Sequence, residues 1–383
     1  MASFPRPIKA YTSLVLIPVW AALLALPFAG IGGAGRVLLL SLLVVLLGKF
    51  IRRGSPSPLA AAQGFLSRLA SARPRASSAL RSRWAGALLL LVLVILPLGL
   101  NDYFRDVMTL TGMYVVLALG LNLVVGQTGL LNLGYVAFYA TGAYAYAILS
   151  TTRGVSFWPG LAAGAVAAAL FALLVGLPTL RLRGDYFAIV TLGLGEITRI
   201  VLNNGDAVTG GPNGISNIGR PVVAGYTLHS TLDFYYLILT LAVITVFAMR
   251  RLVDSRIGRA WLAIREDAVA AEAMGIDTFR LKLLAFVLGS AWAGLAGVFF
   301  AAKMAFVSPE SFTFFESVLI LCMVVLGGMG SIPGIILAAV LLIVLPELFR
   351  DFQDYRMVAF GMALVLMMIF RPQGLLGRIR SSS

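Results

Sequence analysis

Long apolar runs, separated by short polar or glycine-rich segments, dominate this sequence of 383 residues. A helix needs about 20 mostly apolar residues to cross a bilayer. Twelve segments approach that length: 12–29, 37–50, 84–100, 107–126, 129–150, 158–178, 186–203, 233–249, 283–302, 316–329, 332–349 and 356–370. Because the second and tenth are short, the pattern predicts an all-α polytopic membrane protein with 10–12 membrane elements, some of them broken or re-entrant.

Two segments interrupt this pattern with residues that disfavour a regular helix. Residues 121–132 hold two glycines and three amides, and residues 326–334 hold four glycines and a proline. Irregular backbone at membrane depth is tolerated only where it is buried in protein or lines a watery path. Both segments are therefore candidate parts of a transport path, although 121–132 is equally compatible with a tight cytoplasmic hairpin.

A third segment, 184–196, ends in a carboxylate on an otherwise apolar helix. An ionisable side chain in a membrane is costly unless it is paired or faces the interior of the bundle. Arg199 lies three residues after Glu196 on the same helical face, which favours a structural ion pair over a proton relay. The path candidates are Asn122, Gln127, Asn132, Glu196, Gly327 and Gly328.

Small residues recur four positions apart in two of the apolar runs. This spacing is typical of closely packed membrane helices, and it indicates packing rather than chemistry. The pairs are Ser290 with Gly294, Ala293 with Gly297, and Gly160 with Gly164.

Residues 250–282 form a charged island with seven basic and five acidic side chains between two apolar runs. Within it, apolar positions four and three residues apart predict a helix from Ile264 to Met274. Gly275 is suited to the left-handed conformation that ends a helix. Small alanines on this helix would permit the close approach of a partner protein. A solvated connector covered with charges is the alternative.

The basic residues are unevenly placed, and their placement predicts an orientation. The net charge of +14 arises largely from 49–83, which holds eight basic and no acidic residues, and from the ends of the chain. Basic loops of membrane proteins remain in the cytoplasm. We therefore expect the linker 51–83, the loop 250–282 and both termini to be cytoplasmic, and residues 203–232 to lie outside. This distribution argues against nucleic acid as a partner.

Several classes of function lack the residues they need. The single cysteine, Cys322, lies in an apolar run, and the single histidine, His229, lies in a polar connector, so neither a metal centre nor a hydrolase triad is expected. The chain has no phosphate-binding loop for ATP. It also lacks the lattice of intramembrane carboxylates that a proton- or sodium-coupled carrier would need. We expect no catalytic residues and no cofactor.

Five strings occur in the order found in a known family. They are GDYFAIVTLGLGEITRIVLNN (184–204), TGGPNGI (209–215), RIGRAWLAIREDAVAAEAMGI (256–276), VVLGGMGSIPG (324–334) and IFRPQGLLG (369–377). Residues 107–377 thereby resemble the LivM-type permeases of branched-chain amino acid ABC importers. Residues 270–275 resemble the EAA-type loop with which such permeases engage their ATPase, although Val269 stands where that loop often has an acid.

This resemblance implies a division of labour. A periplasmic binding protein would deliver the substrate, two homologous permeases in the bacterial inner membrane would form the path, and two cytoplasmic ATPases would drive transport. The chain would comprise an N-terminal helix pair (1–50), the basic linker (51–83), a permease core (84–377) and a tail (378–383). The residues expected to couple to the ATPase are Arg265, Glu266, Ala270, Ala271, Met274 and Gly275.

Other functions remain open at this point. The same family includes permeases for urea and short amides, and specificity in these systems rests largely with the binding protein. A stand-alone secondary carrier would need more buried polar groups than Glu196 provides. A membrane scaffold that only recruits partners through its charged loop would have little use for broken helices.

Overall fold

The computed structural model describes residues 90–182, 184–223 and 225–348. The expected elements at 1–89 and 349–383 lie outside the described residues, so the helix pair, the linker, the last span and the tail stay predictions.

The described part is a bundle of helices joined by short connections. An apolar helical segment, Leu90–Gly99, comes first. It is followed by α1 (Asp102–Asn122), α2 (Tyr135–Arg153), α3 (Phe157–Thr179), α4 (Asp185–Asn204), α5 (Thr231–Val253), α6 (Arg256–Glu266), α7 (Ala268–Ala273), α8 (Thr278–Met304), α9 (Phe314–Gly327) and α10 (Ile332–Leu348). A π-helical turn, Leu123–Gln127, continues α1, and shorter turns occur at Asp206–Thr209, Gly211–Asn213 and Pro309–Ser311.

Five helical segments among the described residues are long and apolar enough to cross a membrane: Asp102–Gln127, Phe157–Thr179, Thr231–Val253, Thr278–Met304 and Pro309–Gly327. Helices α2 and α4 have 19 and 20 residues, a similar length, but carry more polar side chains. These findings confirm a mostly helical, multi-pass membrane protein. The expected total of 10–12 elements includes segments that the structure does not describe.

Helix α1 lies at the centre of the bundle, where it contacts α5, α8, α9 and α10. Helix α8 packs against α2 and α3 through glycines. A Cβ atom on Gly294 of α8 would lie only 2.5 Å from the carbonyl oxygen of Gly164 on α3, and Gly142 of α2 meets the backbone of Gly294 directly. Backbones can approach this closely only where side chains are absent. The predicted packing role of Gly294 and Gly164 is confirmed.

The two ends of the bundle differ, and α5 runs from one to the other. Its 23 residues correspond to a length of about 34 Å. The strand end carries two antiparallel ladders, β1 (Ile215–Ser216) with β4 (Phe306–Val307), and β2 (Val222–Val223) with β3 (Tyr226–Thr227). The loop end carries α6 and α7, which follow α5 directly.

Candidate functional site

The charged segment at the loop end owes its shape to polar caps. Ser255, Asp267 and Asp277 each accept a hydrogen bond from a backbone N–H two or three residues further along the chain. Such caps satisfy backbone donors that have no partner within the helix. Two of the five acidic side chains in this segment therefore determine where α7 and α8 begin.

The predicted single helix from Ile264 to Met274 is wrong at Asp267. The backbone of Asp267 is extended, with φ −153° and ψ 108°, and it separates α6 from α7. Aspartate favours this capping conformation over the interior of a helix because its carboxylate binds nearby backbone donors. The predicted end of the helix is confirmed, since Gly275 has a φ of +82° and the N–H of Ile276 donates to the carbonyl of Ala271 at 3.1 Å.

The loop residues expected to meet an ATPase divide into an exposed and a buried group. Met274 is 82% exposed, and Glu266, Ala270 and Gly275 are also exposed. Val269, which was not in the predicted set, is 73% exposed beside them. Ala271, by contrast, is buried against its own chain, at 5% exposure. Ala271 therefore holds α7 in place, and a docking surface on this segment would consist of Val269, Ala270 and Met274.

Helix α6 is anchored to the bundle by Trp261. This indole is fully buried, and its Nε1 donates a hydrogen bond to the carbonyl oxygen of Leu281 on α8 at 2.7 Å. Ile264, one turn further on, is also buried. With these two side chains fixed, Arg265 extends from α6 towards the bundle.

Arg265 joins the charged loop to both irregular segments of the membrane domain. Its Nη1 lies 2.5 Å from the carbonyl oxygen of Gly126, in the π-helical turn after α1, and 3.5 Å from that of Met329, in the turn between α9 and α10. Hydrogen bonds from a charged donor are stronger than neutral ones. The sequence placed these three residues in separate groups, and the structure brings them together.

A second contact ties the two irregular segments to each other. The backbone N–H of Gly330 donates to Asn122 Oδ1 on α1 at 2.8 Å. Gly330 has a φ of +88°, and a Cβ atom there would lie 3.6 Å from Gln127 Nε2. We call this group the joint cluster: Asn122, Gly126, Gln127, Arg265, Met329 and Gly330. Asn122 and Gln127, two of the predicted path residues, are buried within it.

Gly327 and Gly328 support the joint cluster from the α9 side. A Cβ atom on Gly327 would lie 2.6 Å from the backbone of Ile335 on α10, and Gly328 has a φ of +97°. Asn132 lies further along the chain and is fully buried; its Oδ1 accepts from the N–H of Gly134 at 3.0 Å. Gly134 in turn packs against α4.

Glu196 is engaged by its own helix and does not belong to the joint cluster. Its Oε2 lies 3.0 Å from Nη2 of Arg199, and both side chains are a little over one third exposed. The predicted ion pair is confirmed.

One carboxylate on an apolar span was not identified from the sequence. Glu316 lies in the first turn of α9 and accepts a hydrogen bond from the hydroxyl group of Tyr114 on α1, at 2.6 Å. Glu316 is the first residue of the short predicted span 316–329, so the sequence pattern placed it at the end of a span rather than inside one. A signal was nonetheless available, since Glu316 follows two phenylalanines and precedes a long apolar run.

Comparison with known proteins agrees with this architecture. The family profile described as branched-chain amino acid transport system / permease component matches residues 103–370. The high-affinity branched-chain amino acid transport system permease protein LivM of Escherichia coli is 48% identical over 315 residues, which cover 76% of this chain and 74% of that protein. LivM of Salmonella typhimurium is equally similar. LivH of Escherichia coli, a permease protein named for the same kind of system, is 28% identical over 73% of this chain and 96% of its own length. No solved structure matches the chain.

The profile covers well over half of the chain, from the second residue of α1 through α10, and includes the joint cluster. The matching proteins are permease subunits, and the chain, like them, is a transport subunit rather than an enzyme. The chain thus belongs to the family of permease components of branched-chain amino acid transport systems.

Proposed function

We propose that this chain and a second, homologous permease form the translocation path of an ATP-driven importer for branched-chain amino acids in the bacterial inner membrane. Two cytoplasmic ATPase subunits bind the loop end, and a periplasmic binding protein delivers the substrate at the strand end. The names of the relatives support the substrate class, and the likeness to both LivM and LivH supports a pair of homologous permeases.

The observation that carries this proposal is the position of Arg265. An importer without its own ATPase needs a physical connection between the surface where the ATPase docks and the segments that open and close. Arg265 starts on the charged loop and ends on the carbonyl groups of Gly126 and Met329, one in each irregular segment. A displacement of α6 by an ATPase would therefore act on both segments at once.

The exposed side chains of α7 support an ATPase at the loop end. Val269 and Met274 are large, apolar and mostly exposed, and the charged segment that carries them is too polar to lie in the hydrocarbon core. Lipid therefore does not account for their exposure. Apolar side chains at such a position are typical of a surface that a partner protein covers.

The orientation follows from the same division of the molecule. The loop end holds the seven basic residues of 250–282, and the positive-inside rule assigns such a segment to the cytoplasm. The strand end, with residues 203–232, then faces the periplasm and the binding protein.

Reconstitution of purified components tests the proposed function. Proteoliposomes that hold this chain alone are expected to show no ATP-dependent uptake of leucine, isoleucine or valine. Uptake should appear when the second permease, the ATPase subunits and the binding protein are added. ATP-dependent uptake by the isolated chain, or failure of the complete assembly to import any of the three amino acids, would contradict the proposal.

A further inference from the structure

Glu316 is a carboxylate inside a membrane-spanning segment, and its only described hydrogen bond is to a neutral group. It lies on Pro309–Gly327, one of the apolar spans, and is only partly exposed. Ionisable residues at such positions are costly and mark substrate or ion pathways more often than structural sites. The packing of α9 alone therefore does not explain why a carboxylate occurs at this position.

The carboxylate lies near the middle of the bundle. Its partner Tyr114 stands 12 residues after the start of α1, which corresponds to about 18 Å along the helix axis. The whole of Asp102–Gln127 has 26 residues, or about 39 Å. Helix α2 begins at the same level, because the N–H of Val136 donates to Ser317 Oγ at 3.0 Å. Glu316 thus lies where two helices begin inside the bundle.

The charge of Glu316 is not balanced by a basic side chain among the described residues. Two other carboxylates on these helices do have such partners: Glu196 pairs with Arg199 at 3.0 Å, and Asp106 pairs with Lys303 at 2.9 Å. Glu316 accepts from the hydroxyl of Tyr114 through Oε2 only. A carboxylate offers about four acceptor positions, so most of its capacity remains for a cationic ligand.

Aromatic rings stand beside this carboxylate. The hydroxyl of Tyr139 lies 3.5 Å from Sδ of Met113, the residue before Tyr114 on α1. The ring centroid of Tyr139 is 5.0 Å from that of Phe312 and 5.6 Å from that of Phe300. The ring centroids of Tyr144 and Phe312 are 6.0 Å apart. The buried hydroxyl of Tyr144 has no hydrogen-bond partner in the described part of the chain. Aromatic faces attract cations and accept apolar groups.

We infer that Glu316 binds the ammonium group of an amino acid during its passage, with the neighbouring aromatic rings of Tyr139, Phe300 and Phe312 receiving its apolar side chain. The inference rests on the proposed function, since it names the contact by which that path takes up a zwitterionic substrate. Helix α9 carries Glu316 in its first turn, and the turn that follows its last residue contains Met329, a partner of Arg265. One helix of 14 residues therefore connects the substrate contact with the contact to the charged loop.

Two substitutions distinguish a substrate contact from a structural tie between α1 and α9. Glu316→Gln removes the charge but keeps an oxygen that can accept from Tyr114. Tyr114→Phe removes the hydrogen bond but keeps the carboxylate. If the carboxylate binds the ammonium group, Glu316→Gln should reduce leucine uptake about tenfold or more, as expected for the loss of a charge-assisted contact, while Tyr114→Phe stays within about threefold of wild type.

The measurement is uptake of radiolabelled leucine by the complete importer in proteoliposomes, with the amount of assembled complex determined for each variant. Asp102→Asn is the matched control, because that carboxylate has its own arginine and is not among the predicted path residues, and its uptake should be close to wild type. Equal uptake by wild type and Glu316→Gln, or a larger loss in Tyr114→Phe than in Glu316→Gln, would overturn the inference and leave the proposed function intact. A wild-type assembly that imports no amino acid would overturn both.

Discussion

Two groups of glycines in this protein serve opposite purposes. Gly142, Gly164 and Gly294, the packing glycines, lie inside regular helices and bring the backbones of α2, α3 and α8 together. Gly126, Gly328 and Gly330, the joint glycines, lie where helices end, and the last two have φ values of +97° and +88°. The first group makes the bundle close-packed, and the second leaves its irregular segments free of side chains beside Arg265.

The comparison teaches that glycine content alone does not identify a moving part. A packing glycine contributes through the contact that its missing side chain permits, so a substitution there acts on stability. Gly328 and Gly330 contribute through backbone conformation, whereas Gly126 leaves room for Asn122 Oδ1 and the backbone nitrogen of Gly330. The neighbours of Gly126 and Gly330 are polar groups that can exchange hydrogen bonds. Substitutions around the joint cluster should therefore change transport more than they change the amount of folded protein.

The largest effect is expected for Gly294→Val at the packing glycines. The added side chain would collide with the backbone carbonyl of Gly164 and with Ala168 Cβ, which lies 2.7 Å from the position of a Cβ atom. Overpacking a close-packed core costs about 1–3 kcal/mol or more, and here backbone rather than side chains must move. We expect little folded protein in the membrane, measured as abundance and as thermal unfolding in detergent. Gly193→Ala is the control, because Gly193 is also helical but has open space around it, and this variant should be as stable as wild type. If Gly294→Val is equally stable, this account of the packing glycines is contradicted.

A smaller effect on stability but a large one on transport is expected for Arg265→Ala. The substitution removes the hydrogen bonds to Gly126 and Met329, and a charged hydrogen bond contributes about 1.5–3 kcal/mol. The chain should insert normally because Trp261 still anchors α6. ATP hydrolysis by the complete importer should continue while leucine uptake per ATP falls.

Arg259→Ala provides the control for this variant, since Arg259 lies on the same helix, is exposed and, within the part of the chain that the structure describes, donates to the carbonyl oxygen of Asp254 alone. Uptake per ATP is measured for both variants in the same proteoliposomes. If Arg265→Ala and Arg259→Ala couple equally well, the joint cluster is not the connection between the ATPase and the path.

An intermediate effect is expected for Met274→Asp on the exposed face of α7. The substitution places a charge on the surface that we assign to the ATPase, and it leaves the buried contacts of Ala271 unchanged. Co-purification of the ATPase subunits should fall severalfold while the amount of permease stays the same. Asp277→Asn is a suitable control because asparagine caps a helix as well as aspartate does. Undiminished co-purification in Met274→Asp would show that α7 is not the docking surface.

The smallest effect is expected for Gly275→Ala at the end of α7. Its φ of +82° disfavours any side chain, but a Cβ atom there would contact nothing within 4 Å. The cost should therefore be that of the left-handed backbone alone, about 1–2 kcal/mol. Hydrogen exchange of the α7 amides should increase slightly, with uptake close to wild type. A loss as large as that of Arg265→Ala would mean that Gly275 contacts the ATPase directly.

Most of the helices could be predicted from the sequence because their information is local. The runs 107–126, 158–178, 233–249 and 283–302 each lie within a helical segment that the structure describes. Residues 328–331, with two glycines, are irregular, whereas Pro333 lies in the first turn of α10, where proline is tolerated. Local signals also conflicted at one point. Apolar spacing from Ile264 to Met274 continued across Asp267, and the capping preference of that single residue decided the outcome.

The tertiary structure alone decided which residues meet. Arg265 contacts Gly126 across 139 positions of the chain, and Tyr114 contacts Glu316 across 202. The periodicity of a segment shows that its helix has an apolar face, but it does not show which other helix packs against that face. That choice depends on the order of the helices in the bundle and on the fit of α2, α3 and α8 at their glycines. The sequence by itself therefore determined a multi-pass permease with a charged loop and two broken segments, and close packing determined that the loop and both breaks form a single cluster.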